Sequence, residues 1–461
     1  MKNVLIVFAV GLLAACSTFH ISPDQRPAES LPKEFSMYGE REAGPDRWWE
    51  TFGSAELNRL VSESLSRNLT VRQAAARLKQ ANAVSVQSGS SGRLKADIEA
   101  AASAGKEGIN SKSFHRESYS AGLGVSYELD FWGKIEGKIN AAELNEAATA
   151  EELYTLKMTT AAEVVLRWLE LAEVRQTITL LNRQVETNRK ILELIELRFK
   201  RSQATALDVL QQRDVVAQAE SLIPNEKARE KTVRHQLAVL LGKAPGTDLN
   251  LEVLTLPTPP ALPATGLPTE LLAKRPDIRS AGLKLQAADW TVAAAKADRL
   301  PTLRLTGTAR YNATEVNNLF DNWLANLAGS LTFPLIDGGF RKAEVIRTKA
   351  VAEERLNRYR EVILKALKEV EDALVQETAQ VHFLVSLKRR LELSKSTKQE
   401  AGARYRKGLE TYLPVLSAII NEQALERTIL NAELKKLKYR VQLHRALGGD
   451  WMREKERINE Q

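Results

Sequence analysis

The chain has 461 residues, 44% of them apolar and 27% charged, which excludes a wholly disordered chain and by length alone would suggest about three ordinary domains. Its net charge of +8 comes from lysines and arginines scattered among nearly as many acids. With no compact basic block interleaved with aromatics, that pattern reads as solvated helix faces and argues against a nucleic-acid groove.

Met1-Lys2-Asn3 is a short basic start, Val4 to Gly11 is an apolar core too short to span a membrane, and Leu13-Ala14-Ala15-Cys16 ends in small residues. Residues 1–15 therefore read as a signal peptide, and the lone Cys16 excludes an internal disulfide framework. Residues 16–54, with Pro23, Pro27 and Pro32, read as an extended arm, and Trp48, Trp49 and Phe52 mark where it meets a core.

One offset organises the rest. A shift of 206 residues lays Val209-Leu210 on Val415-Leu416, Arg234-His235-Gln236-Leu237 on Arg440-Val441-Gln442-Leu443, and Leu241-Gly242 on Leu447-Gly448. The chain is one unit built twice, over 55–250 and 269–451, joined by a proline-rich linker at 251–268 and followed by a polar tail at 452–461.

Each copy opens with a helical stretch and switches to a period of two. In the first, strands are expected over about 94–104 and 119–130, with Leu123, Val125 and Tyr127 alternating against small and polar residues. In the second they fall over about 301–311 and 323–335, with Leu303, Leu305, Leu331 and Phe333 on the apolar phase. Polar hairpin tips are expected at Lys106 to Arg116 and Asn312 to Asn322. Two readings stand: a small sheet packed on helices with its polar face in water, or membrane strands, for which about 9 to 11 residues suffice. Four strands cannot close a barrel, so membrane strands would require oligomerisation.

Long helices follow over 134–201 and 204–241, and again over 340–407 and 410–447. Leu156, Val164, Trp168, Leu171, Val174, Ile178, Leu181, Val185, Leu192, Ile195 and Phe199 step by threes and fours, while Val165, Leu169, Leu180 and Leu194 lie off that stripe. Such a helix touches neighbours on more than one side, as in a wall. The stretch from Gly133 to Arg201 would reach roughly 100 Å at about 1.5 Å per residue. In the second copy Gly408 ends one helix and Pro414 sits in the first turn of the next, so by the offset the first copy folds back at Ser202. Acid pairs such as Glu151-Glu152 and Glu353-Glu354 read as solvated faces, and the five histidines show no metal-ligand spacing.

The Leu-Ala-Ala-Cys lipobox, Arg275-Pro276-Asp277-Ile278, Leu300-Pro301, Asp337-Gly338-Gly339, the Arg404-Tyr405 to Gly408 turn and Leu447-Gly448-Gly449-Asp450-Trp451 resemble the TolC-like outer membrane factors, in particular the lipoprotein branch of efflux channels. The resemblance implies a mainly α fold with a small β part: the duplicated unit of helix, β-hairpin and long helical hairpin builds a trimeric α-barrel tube continuous with a 12-stranded outer-membrane β-barrel. It implies acylation at Cys16, anchoring in outer-membrane lipid, and passive export as the outer part of a tripartite pump with a periplasmic adaptor and an inner-membrane transporter. No cofactor, metal, nucleic acid or enzymatic activity is implied. It further implies a narrowed periplasmic tip at Arg198, Ser202, Asp208, Arg404, Tyr405, Gly408 and Glu410, with Asp208 and Glu410 facing the lumen and Arg198 and Arg404 pairing across the tip. Pro414 stands where a second acid would complete a two-copy ring. The alternatives are a duct for type I protein secretion and a membrane-tethered coiled-coil adaptor with no pore.

Overall fold

The computed structural model describes residues 47–109, 112–259, 262, 268 and 270–448. The signal peptide, Cys16 and the polar tail lie outside the described residues. The first repeat runs α1 (Ala55–Arg67), α2 (Leu69–Ser90), β1 (Lys95–Ile109), β2 (Lys112–Leu129), α3 (Lys134–Lys200) and α4 (Ala206–Leu240). The second runs α5 (Glu270–Lys274), α6 (Pro276–Ala297), β3 (Thr302–Ala313), β4 (Trp323–Thr332), α7 (Phe340–Arg406) and α8 (Tyr412–Leu447). Both long helices, α3 and α7, have 67 residues.

The chain divides into two compact units. One comprises residues 76–151 and 279–361 and contains all four strands; the other holds the remaining described residues. In the first unit the strands form one antiparallel sheet in the order β1-β2-β3-β4. Residues paired across an antiparallel ladder share a face. Leu123 lies between Ile98 and Ala309, Val125 between Ala96 and Gly307, and Leu303 between Leu129 and Leu331. The opposite face carries rungs such as Glu99, Gly122 and Arg310. A Cβ on Gly122 would meet the Cγ of Arg310 at 2.5 Å. The glycine therefore leaves room for Arg310 to reach across β2 and bond Glu99 at 2.6 Å.

The first hairpin differs from expectation. Its polar tip is not a loop from residue 106, since β1 continues to Ile109 and β2 begins at Lys112. Ser103 to Lys106 pair with Ser118 to His115, so the ladder persists although neither face is apolar there. Hydrogen bonding sustains a strand where the alternation that reveals strands has ceased. Conversely, β4 stops at Thr332, and Phe333 lies one residue beyond it.

Beneath the sheet, Asp298 binds Lys134 (2.8 Å) and Arg341 (3.0 Å), and the indole of Trp132 donates to the carbonyl of Pro301 at 2.6 Å. Glu151, read from sequence as solvated, is buried and paired with Arg279 at 2.8 Å, while Glu152 is exposed. The partner lies 128 residues away, beyond the reach of helical spacing.

The second unit is organised by a core in which a short 3-10 turn buries Trp48, Trp49 and Phe52 against Leu57, Trp168, Leu169, Leu237 and Val441. The arm is thus already in the core by Trp48. The linker's beginning is docked as well: Arg175 donates to the carbonyls of Leu251 (2.8 Å) and Val253 (2.9 Å), and both residues pack on the core. Each repeat closes on itself in the same way. The amide of Asn68 donates to the carbonyl of Leu240 at 2.9 Å, near the end of α4. In the second repeat Arg275 donates to the carbonyl of Ala446 at 3.0 Å, near the end of α8. These carbonyls have no partner within their own helices, so the preceding element supplies one.

Candidate functional site

The two helical hairpins turn at equivalent places, and each turn is specified locally. Ser202 and Gly408 both adopt left-handed backbone, with φ of 56° and 73°. The N–H of Gln203 donates to the carbonyl of Arg198 (2.8 Å) and that of Ser202 to Phe199 (2.9 Å). In the second turn Leu409 donates to Arg404 (3.0 Å) and Gly408 to Tyr405 (3.0 Å). Both are the paired six-to-one and five-to-two bonds of a Schellman C-cap, which favours glycine and here tolerates serine once.

The next helices begin differently. Thr205 caps α4 by accepting from the N–H of Asp208 (3.2 Å), and the Asp208 carboxylate accepts from the N–H of Thr205 (2.8 Å). This reciprocal capping box satisfies two otherwise orphan donors. At the equivalent position of α8 stands Pro414, which has no N–H, and Thr411 makes no side-chain cap bond. Glu410 is exposed, with its carboxylate accepting from the N–H of Thr411 at 3.2 Å.

The turns meet through side chains. The Arg198 guanidinium lies 4.6 Å from the centre of the Tyr405 ring. Arg198 thus meets the other repeat, and Arg404 does not meet it in the same way. Arg404 bonds Glu400 on its own helix at 2.9 Å, because a residue adjacent to Tyr405 points about 100° away around the helix.

Behind Tyr405 the ring of Tyr412 lies 5.3 Å away, and both pack with Ile195, Val209, Val215 and Leu416. Burial raises the pKa of both phenols, keeping them neutral. The Tyr412 hydroxyl donates to Gln212 (2.6 Å), whose amide donates to the carbonyl of Asn188 (2.8 Å). Asn188 and Gln423 exchange amide bonds at 3.2 and 2.8 Å, and Gln184 donates to the carbonyl of Gln423 at 3.2 Å. This buried polar ladder ties α3, α4 and α8 in register and was not anticipated. Its available signal was Gln184 and Asn188, four residues apart beside Leu181 and Val185. At the surface, Leu194 and Phe199 are exposed at 52% and 47%.

In the sheet, Leu123, Val125, Tyr127, Leu303, Leu305 and Leu331 occupy one face, with Phe333 just past its end. The β2–β3 ladder has eleven rungs, from Tyr119 to Leu129, of which six lie on that face, and its rim carries Tyr311 paired with Trp323. The side strands β1 and β4 each have one unpaired edge. Among the described residues no cluster of His, Cys, Asp and Glu could hold a metal ion, and no helix is long and apolar enough to cross a membrane.

Comparison with known proteins supplies the context. The profile of a family described as outer membrane efflux protein matches residues 60–243 and again 267–449, one match per repeat. The chain is 30% identical over 473 residues to the pyoverdine export outer membrane protein OpmQ of Pseudomonas aeruginosa, covering 99% of this chain and 98% of that one. It is 24% identical to a probable outer membrane lipoprotein, SilC, of Salmonella typhimurium, over 98% of this chain and 99% of the relative. The solved structure of the outer-membrane channel OprN superposes with a TM-score of 0.88 at 29% identity, covering 94% of this chain and 99% of that one.

Proposed function

The chain belongs to the outer membrane efflux protein family, and we infer from this that it is the passive outer-membrane channel of a tripartite efflux system, receiving solutes from an inner-membrane transporter through a periplasmic adaptor. The observation that carries this reading is the sheet, apolar on one face, polar on the other and unpaired at both edges. Unpaired backbone groups cost several kcal/mol each in lipid, so the edges must be covered. Three copies of a four-stranded sheet supply the 12 strands of a closed barrel, with Leu123, Val125, Tyr127, Leu303, Leu305 and Leu331 toward lipid. Phe333 continues that phase at the barrel base.

The turns at Ser202 and Gly408 form the periplasmic end, where the Arg198–Tyr405 contact holds the tip closed and Asp208 and Glu410 border the conduit. Adaptor docking opens it. Acylation of Cys16 anchors the chain to outer-membrane lipid. The chain is a duct with no catalytic role.

The test is the mass of the full chain extracted from outer membranes in mild detergent, with metabolic palmitate labelling. A trimer carrying label, and an unlabelled Cys16→Ser variant, are expected. A monomer would overturn the barrel, and label retained in Cys16→Ser would overturn the anchor alone.

A further inference from the structure

We propose that the tip turns form a basic collar that makes the channel anion-selective, so that its cargo is an anionic organic solute. This rests on the reading that the turns ring the periplasmic mouth. Arg198, Lys200, Arg201, Arg404, Arg406 and Lys407 crowd the two turns; Asp208 and Glu410 lie within them, and Glu196 and Glu400, just before them, are taken up by Arg213 (2.7 Å) and Arg404 (2.9 Å). Arg404 has Glu400 as its partner, and Arg198 lies on Tyr405. Lys200, Arg201, Arg406 and Lys407 are exposed and make no ion pair among the described residues.

Helix ends do not offset this charge. Each turn joins the negative C-terminal end of one helix to the positive N-terminal end of the next, so the partial charges oppose each other and the side chains set the potential. The acids are few for a specific reason. The second-repeat counterpart of Asp208 is Pro414, so the second helix start carries no carboxylate at that position. Three copies triple the excess around one mouth. A narrow opening walled by protein focuses such a field, which in open solution fades within about 8 Å at physiological ionic strength.

The polar face of the sheet makes no opposing filter. It carries Lys95, Arg116, Arg304 and Arg310 against Asp97, Glu99 and Glu128, a mixture of both signs. Arg310 pairs with Glu99 at 2.6 Å and Arg304 lies 3.8 Å from Glu128. Both signs are interspersed and paired there and one sign dominates at the tips, which puts the selectivity of this proposal at the periplasmic end. Solutes bearing carboxylate groups match the collar; metal cations do not.

The test is the reversal potential of the purified full chain in planar bilayers under a low-salt KCl gradient. The expected potential lies on the chloride side. It should move toward zero, or past it, in the variant Lys200→Gln, Arg201→Gln, Arg406→Gln, Lys407→Gln, whose sites are all exposed and outside the packed core. The sheet variant Glu99→Gln, Arg310→Gln should leave it in place. Stable conductance with potassium preference, or an unmoved potential in the four-site variant, would overturn the collar while leaving the channel standing. Absence of any conductance, in the tip-loosened variant Tyr405→Ala as well, would instead overturn the channel reading itself.

Discussion

Arg198 and Tyr405 belong to different repeats, yet the guanidinium of one lies 4.6 Å from the ring centre of the other. A cation over an aromatic face is worth about 0.5 to 2 kcal/mol, depending on desolvation. Tyr405→Ala should therefore loosen the tip, and Tyr405→Phe, which keeps the ring, should not. Single-channel leak current checks this: a several-fold rise in Tyr405→Ala alone is expected, and equal currents in both variants would contradict it.

Ser202 holds left-handed backbone that a side chain disfavours by roughly 1 kcal/mol, whereas its counterpart Gly408 avoids that cost. Ser202→Gly should raise the unfolding temperature slightly, and Gly408→Ala should lower it by a comparable amount. Nothing within 4 Å would obstruct a Cβ at Gly408, so the effect isolates backbone strain. Thermal unfolding followed by circular dichroism gives the sign of each change.

Arg275 is buried and bonds Asp277 (2.6 Å), Glu369 (2.9 Å) and the Ala446 carbonyl (3.0 Å), whereas Asn68 serves its own repeat with an uncharged amide. Removing Arg275 breaks charge-assisted bonds to two partly exposed carboxylates as well as the bond to the helix end, each charge-assisted bond worth about 1.5 to 3 kcal/mol, whereas losing a neutral cap costs about 1 kcal/mol. Arg275→Ala should thus be markedly more destabilising than Asn68→Ala in denaturant unfolding. Similar losses would mean that Arg275 serves chiefly as a cap.

His444 stacks on Trp48 with centroids 5.0 Å apart and rings nearly parallel. Burial, reinforced by neighbouring Arg440, lowers its pKa from 6.5 to about 3. The unfolded chain takes up this proton below about pH 6.5 and the folded chain only near 3, so the stability contributed by neutral His444 is complete above 6.5 and falls as pH drops through that window. The unfolding temperature should decline from pH 6.5 toward 4, and His444→Phe should flatten the decline. Parallel curves for the two proteins would rule this linkage out.

Much of this architecture is legible in the chain because it depends on local patterning. The repeat predicts where α3 turns, since Gly408 announces what Ser202 conceals, and period-two alternation reveals the apolar face of the sheet. Contacts between repeats leave no such mark. Glu151 looks solvated until Arg279 is placed beside it, and Tyr412 meets Gln212 only because two hairpins pack with one particular set of faces. The continuation of β1 to Ile109 is invisible in the sequence because alternation reports burial, not hydrogen bonding.

The central claim, that the apolar face of the sheet lies in lipid and the other lines a conduit, is tested most directly by site-directed spin labelling along Leu123, Gly124, Val125, Ser126 and Tyr127 in reconstituted membranes, with Cys16 acylated and so inert to the label. Labels at 123, 125 and 127 should be accessible to oxygen dissolved in lipid, and those at 124 and 126 to a water-soluble nickel complex. Labels at 123, 125 and 127 shielded from both reagents would show instead a sheet packed on helices outside the membrane, and water access at all five positions would show a sheet lying outside lipid altogether.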